Sequence, residues 1–181
     1  MTENTNTARI YLIRHATPDW NRKDIPYDIP PGPPLVEQGE LEAARLGEFI
    51  RQAGVIKLYH SPLERAKRTA RISATIAGIS IEEELAIAEW RTSEGDQQIA
   101  GRFLPVWDRT VAESATLGPI GLVSHGGPIR FMLEKLGLPG PIMESHRKLY
   151  DHGNPLPPAG AWLAEKPEGS EVWNLTLIFI P

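Results

Sequence analysis

Three short, mostly apolar runs recur along the chain, and each gives way abruptly to polar or basic residues. Residues 10–13 lead into Arg14-His15, residues 55–59 into His60-Ser61-Pro62, and residues 120–123 into Ser124-His125-Gly126-Gly127. Runs of this length suit strands buried on both faces. Between them the apolar spacing changes to a helical period. Leu41, Ala44, Leu46, Phe49 and Ile50 predict an amphipathic helix over 37–53, with Gly54 where a C-cap belongs. Ser61-Pro62-Leu63-Glu64 carries a helix-start signature. Serine serves as N-cap, proline as first helical residue and glutamate completes a capping box, so a helix is expected from there to Gly78. Residues 97–111 read as a helix that Pro105 should kink or break. Gly126-Gly127-Pro128 opens a helix that Gly137 closes. Residues 79–81 read as a short strand, and 82–95 fit no single element. Residues 161–164 and 172–180 read as strands of a hairpin around Pro167-Glu168-Gly169. The five prolines between 25 and 34, and the proline-rich stretch 153–160, read as loops.

Strands alternating with helices predict an α/β fold, a three-layer sandwich whose central sheet is mostly parallel and flanked by helices. In such sheets ligands bind beyond the carboxyl ends of the strands. Arg14-His15, Ser61 to Arg65, and His125-Gly126 all occupy such ends. Two of these segments also open helices, whose free N–H groups favour anions. The proline-rich loop and the segment 150–158 are expected to cap the crevice. No internal repeat or long linker marks a second domain, so residues 8–181 are expected to form one domain behind a disordered tail, 1–7.

Composition narrows the chemistry. The chain has 181 residues and no cysteine, which removes disulfides, thiolate nucleophiles and thiolate metal ligands. Its formal net charge of −4 gives no reason to expect nucleic acid or an acidic membrane as partner. The polar N-terminus has no apolar core of a signal peptide, and no run approaches the roughly 18 apolar residues of a spanning helix. A cytoplasmic location is the default expectation. The sequence leaves the oligomeric state open.

An anionic substrate therefore needs a local positive site. Among Arg65, Lys67, Arg68 and Arg71, only Arg65 falls on the first turn after the strand end, so it is the one expected to face an anion. A nucleophilic imidazole beside fixed guanidiniums is what phosphoryl transfer without a metal requires. His146 and His152 have no ligand spacing, and no metal or other cofactor is expected.

With these residues in view, the chain resembles the histidine phosphatase superfamily, also called phosphoglycerate mutase-like. Leu12-Ile13-Arg14-His15-Ala16-Thr17 resembles its RHG signature, with Ala16 in place of the usual glycine. Pro34-Leu35-Val36-Glu37-Gln38-Gly39 is similar to its PLTE.G stretch. Ser61-Pro62-Leu63-Glu64-Arg65-Ala66 with Thr69-Ala70 is similar to SPL.RA..TA, and Val123 to Arg130 is close to VSHGG.IR. The resemblance implies that His15 becomes phosphohistidine while Arg14, Arg65 and His125 hold the phosphoryl oxygens. It also implies that Asn21 and the Gly126 N–H add neutral donors, and that a carboxylic acid protonates the leaving oxygen. Ile87-Ala88-Glu89-Trp90 fits the block that carries this acid and makes Glu89 the choice over Glu84 and Glu94, although the usual G.WEG continuation is replaced by Arg91-Thr92-Ser93-Glu94-Gly95.

The activity so implied is a phosphomonoesterase acting on a small phosphate ester. The alternatives are mutase-type phosphoryl transfer, a protein phosphohistidine phosphatase, and a non-catalytic module that binds a phosphorylated ligand. The short stretch between His15 and the first helix favours the phosphatase over the mutase.

Overall fold

The computed structural model describes residues 7–181, so the expected tail falls, except for Thr7, outside the described residues. A six-stranded sheet has the order β3-β2-β4-β1-β5-β6. Its strands are β1 (Ala8–Arg14), β2 (Lys57–His60), β3 (Ser80–Glu83), β4 (Ile120–Ser124), β5 (Ala161–Lys166) and β6 (Asn174–Phe179). The first four pair in parallel, and β5 and β6 close one side as an antiparallel hairpin. The fold is thus the α/β sandwich expected, with a mixed sheet whose parallel part carries the three strand ends of interest.

The helices are α1 (Glu37–Gln52), α2 (Glu64–Ala77), α3 (Asp96–Leu117), α4 (Gly126–Lys135) and α5 (Gly140–Leu149). Alternation along β1 assigns each face of the sheet. Tyr11 and Ile13 join Ala43, Leu46 and Ile50 of α1 and Ala66, Ala70 and Ala74 of α2 in one core. Ile10 and Leu12 join Ile99, Phe103 and Trp107 of α3 and Ile129 and Met132 of α4 in the other. Each fully buried Leu, Ile or Phe contributes on the order of 1.5–3 kcal/mol, so the central strands are held from both sides. Among the described residues no helix is long and apolar enough to cross a membrane.

Two local expectations need correction, and one helix is unforeseen. The second helix does not start at Ser61. It starts at Glu64 with Leu63 in the N-cap position and no side-chain cap, and the Ser61 hydroxyl accepts the Leu63 N–H at 3.3 Å just before the helix begins. The third helix neither breaks nor ends near Pro105; it runs 22 residues through it. The helix α5 lies in a stretch that the apolar pattern does not mark, since it buries only Met143.

The register sets the site. Arg14 pairs with Ser124 and His60 with Val123, so His15, Ser61 and His125 follow one another across three adjacent strand ends. The His15 N–H donates to Ser124 O at 2.9 Å and the Ser61 N–H to Val123 O at 3.0 Å, extending the ladder one residue past the strands. Gly39 in α1 packs so closely on the turn after His15 that a Cβ there would stand 2.2 Å from Thr17 O.

Candidate active site

The backbone that carries His15 is held on every side. The Ala16 N–H donates to Thr69 Oγ1 at 3.0 Å, and the Thr69 hydroxyl donates to Arg65 O at 2.6 Å. The threonine of the SPL.RA..TA stretch therefore ties the nucleophile turn to the helix bearing Arg65. Thr17 donates from its N–H and its hydroxyl to the two oxygens of Glu42, at 2.8 and 2.9 Å.

His15 is buried, and its ring faces that of His125 with centroids 5.1 Å apart. His15 Nδ1 lies 2.8 Å from Ala16 O. A carbonyl only accepts, so Nδ1 carries the proton and Nε2 presents its lone pair to the cavity. Burial, then the charges of Arg65 and Arg14, push the His15 pKa well below 6.5, which keeps this ring neutral. The Tyr27 hydroxyl stands 3.4 Å from Nε2. Burial pushes its pKa to about 12, so it remains a donor.

Arg65 is buried with its guanidinium carbon 3.8 Å from the Tyr27 ring centroid, and it donates to Tyr27 O at 2.6 Å. Arg14 is gripped by Asp151 and also donates to Leu156 O at 3.1 Å. Glu89 lies between the cations and the second histidine, 3.5 Å from both Arg65 Nη2 and His125 Nδ1. Burial raises its pKa above 4.5, against the opposing pull of Arg65. A cavity of about 270 Å³ opens onto Arg14, His15 and Glu89, with Gly126 and Gly127 contributing the N-terminus of α4. Trp20, Tyr27, His152 and Asn154 form its outer wall, where Trp20 stacks on Tyr27 with centroids 5.3 Å apart.

Arg14, His15, Arg65, His125, Glu89 and Gly126 are thus brought together. Asn21 is not. It is exposed, outside the cavity wall, in a turn where its N–H donates to Asp19 Oδ1 at 3.0 Å. Neighbouring Trp20 reaches the cavity instead. Of the other acids, Glu84 accepts from Ala86 N–H and pairs with Arg109 at 2.6 Å, and Glu94 pairs with Arg102 at 2.7 Å. The Arg91 to Gly95 segment, unusual for the resembled motif, forms a turn that delivers Glu94 to Arg102. Arg102 also donates to Ala86 O, Ala88 O and Glu89 O, which fastens the segment bearing Glu89 to α3.

The sequence does not reveal the roles of Tyr27, Asp151, His152 and Asn154 individually, although both loops that carry them were expected to cap the crevice. His15, Glu89 and His125 also place three metal-capable atoms within 4.8 Å of one another. The guanidinium of Arg14 in the cavity wall and that of Arg65 beside Glu89 weigh against a dication and in favour of an anion.

The family model of the histidine phosphatase superfamily, branch 1, matches residues 10–96. Over that stretch, a little under half of its length, the chain is similar to the histidine phosphatase superfamily. The chain is 33% identical over 81 residues to a probable phosphoglycerate mutase GpmB of Salmonella typhi, a match that covers 45% of this chain and 37% of that relative's length. The chain thus spans little more than a third of that curated relative. Its fold is similar to a phosphoglycerate mutase from Bacillus anthracis, with TM-score 0.77 and 16% identity over 97% of this chain and 94% of the other. It is also similar to a mycobacterial glucosyl-3-phosphoglycerate phosphatase, with TM-score 0.73 and 19% identity over 94% of this chain and 98% of the other.

Proposed function

We propose that the protein is a metal-independent phosphomonoesterase that hydrolyses a small phosphate ester through a phosphohistidine on His15. One observation carries the reading. Arg14 Nε, Arg65 Nε and His125 Nδ1 are buried and have no hydrogen-bond partner among the described residues. Buried N–H groups left unpaired are costly, and three of them near the bare nitrogen of His15 match the oxygens of a phosphoryl group.

In the first step His15 Nε2 attacks phosphorus, the N–P bond forms and the P–O bond to the alcohol breaks. Protonated Glu89 gives its proton to the departing oxygen. Arg14, Arg65 and His125, with the Gly126 N–H at the start of α4, hold the three equatorial oxygens as charge spreads over them. The Tyr27 hydroxyl turns from Nε2 to a phosphoryl oxygen and supplies the neutral donor that the resemblance assigned to Asn21. In the second step the Glu89 carboxylate takes a proton from water as its oxygen attacks phosphorus. The N–P bond breaks and phosphate leaves.

The test is a panel of phosphate esters with trapping of a radiolabelled phosphoenzyme. Acid-labile label on His15, absent in His15→Ala, is expected together with release of inorganic phosphate. Label moved to a second hydroxyl of a phosphosugar acid would make the protein a mutase. Activity confined to phosphorylated protein histidine would make it a phosphohistidine phosphatase. Phosphate binding without turnover on any of these would leave a binding module.

A further inference from the structure

We infer that Ser61 is a positioning residue that fixes the proton of His125 on Nδ1, so that an N–H rather than a lone pair meets the phosphoryl group. The use of that N–H rests on the phosphatase reading; the proton's place does not.

His125 and Ser61 are both fully buried, and His125 Nε2 lies 2.7 Å from Ser61 Oγ. The same hydroxyl accepts the Leu63 N–H at 3.3 Å. Burial, then Arg65, His15 and Arg14, push the His125 pKa well below 6.5, so a single ring proton must be assigned. A hydroxyl has one proton to give and two lone pairs. If His125 Nε2 were the donor, Ser61 Oγ would accept two N–H groups. Its own proton would then lie in the interior with no acceptor among the described residues. The Nδ1 lone pair would also face Glu89 Oε2, 3.5 Å away. If Ser61 is the donor, every group is used. Its oxygen takes the Leu63 N–H, its proton goes to Nε2, and Nδ1–H points towards Glu89, which lines the cavity. That nitrogen is, with Arg14 Nε and Arg65 Nε, one of the buried unpartnered atoms assigned above to the phosphoryl group.

The readout is the one-bond coupling between proton and nitrogen in histidine labelled with the heavy nitrogen isotope, measured at neutral pH with and without inorganic phosphate. In the wild type His125 is expected to show a proton on Nδ1 and a bare Nε2, and the Nδ1–H signal to shift as phosphate is added. In Ser61→Ala both tautomers are expected, with phosphate binding weakened about tenfold, the scale of a displaced hydrogen bond to a charged group. Ser61→Thr, which keeps the hydroxyl, is expected to restore the Nδ1 proton. A proton on Nε2 in the wild type would overturn the inference, because it would mean that a protonated Glu89 donates to Nδ1. An unchanged Nδ1 proton in Ser61→Ala would overturn it too. The wild-type spectrum decides the tautomer even if the variants do not fold. The spectrum is also independent of turnover, so a protein inactive on every ester yet protonated on Nδ1 refutes the phosphatase and leaves Ser61 in its role.

Discussion

Arg14 donates from Nη1 and Nη2 to separate oxygens of Asp151, at 2.6 and 2.7 Å, and keeps Nε unpartnered. The nucleophile's neighbour is therefore aimed by a residue 137 positions away, on the loop that also supplies His152 and Asn154 to the cavity wall. Burial alone would raise the Asp151 pKa, but the two hydrogen bonds and the charge of Arg14 hold it below the ordinary value. A depressed folded-state pKa gives stability that is present above the unfolded pKa of about 3.9 and lost as pH falls through the folded value. Asp151→Asn should cost about 1–2 kcal/mol at neutral pH. That is less than a fully buried pair, because Asp151 is about a third exposed. Urea unfolding across a pH series should show the gap between wild type and variant closing only below about pH 4.

Catalysis by the proposed route needs His15 bare and Glu89 protonated in the first step. The lowered pKa of His15 keeps its ring bare to lower pH, and the raised pKa of Glu89 keeps its carboxyl protonated to higher pH, so the two requirements are brought to overlap. For an alkyl phosphate kcat/KM should peak on the acid side of neutrality and fall as pH rises through the Glu89 pKa. An aryl phosphate, whose leaving group needs no proton, should lose that falling limb. Glu89→Gln should slow the alkyl ester by about 10²–10⁴-fold and the aryl ester much less. Equal losses on both would remove Glu89 from the role of acid.

Arg102 touches none of the reacting groups, yet its guanidinium gathers the carbonyls of Ala86, Ala88 and Glu89 and the carboxylate of Glu94. Arg102→Met leaves these acceptors without their donor and loosens the acid. We expect kcat to drop about 10–100-fold with KM nearly unchanged, and the loss to be larger for poor leaving groups. A KM effect of the same size would mean that the segment shapes binding instead.

A Cβ at position 126 would stand 1.6 Å from Asn154 Oδ1. Gly126→Ala should therefore push the Asn154 side chain outward and weaken its bond to Asp151 O, at 2.9 Å. Activity is expected to fall about tenfold, and Asn154→Ala in the same chain should recover most of it. The non-additivity, measured as a double-mutant cycle, should reach about 1 kcal/mol. Additive losses would show that the glycine matters for its own backbone and not for this contact.

The parallel strands are legible in the sequence because burial on both faces leaves nearly unbroken apolar runs, and their ends then specify where His15, Arg65 and His125 converge. The hairpin β5–β6 is legible from its turn residues. Other features are set by partners remote in sequence. Glu84, Glu89 and Glu94 look alike as residues. What separates them is that Arg109 and Arg102 neutralise the first and last and leave Glu89 at the cavity. The Ser61 signature is half right: its hydroxyl does accept a nearby N–H, that of Leu63, but the helix itself begins only at Glu64. Asn21 fits the motif spacing, but the path of the loop turns Trp20 inward and Asn21 out. Helix α5 has too narrow an apolar face to be seen, although Pro141 near its start and His146, Arg147 and Lys148 in its last turn are the marks by which it could have been found.

The reversal of direction at β5 has a practical consequence. Ala161 lies beside Ile13 near the cavity, whereas Lys166 lies beside Ala8 at the other end of β1, about 17 Å away. The bend through Pro167, Glu168 and Gly169 thus sits on the far pole of the molecule. A fluorophore or surface tether attached there would leave the entrance to His15 facing bulk solvent, which makes this bend the natural handle for immobilising the protein.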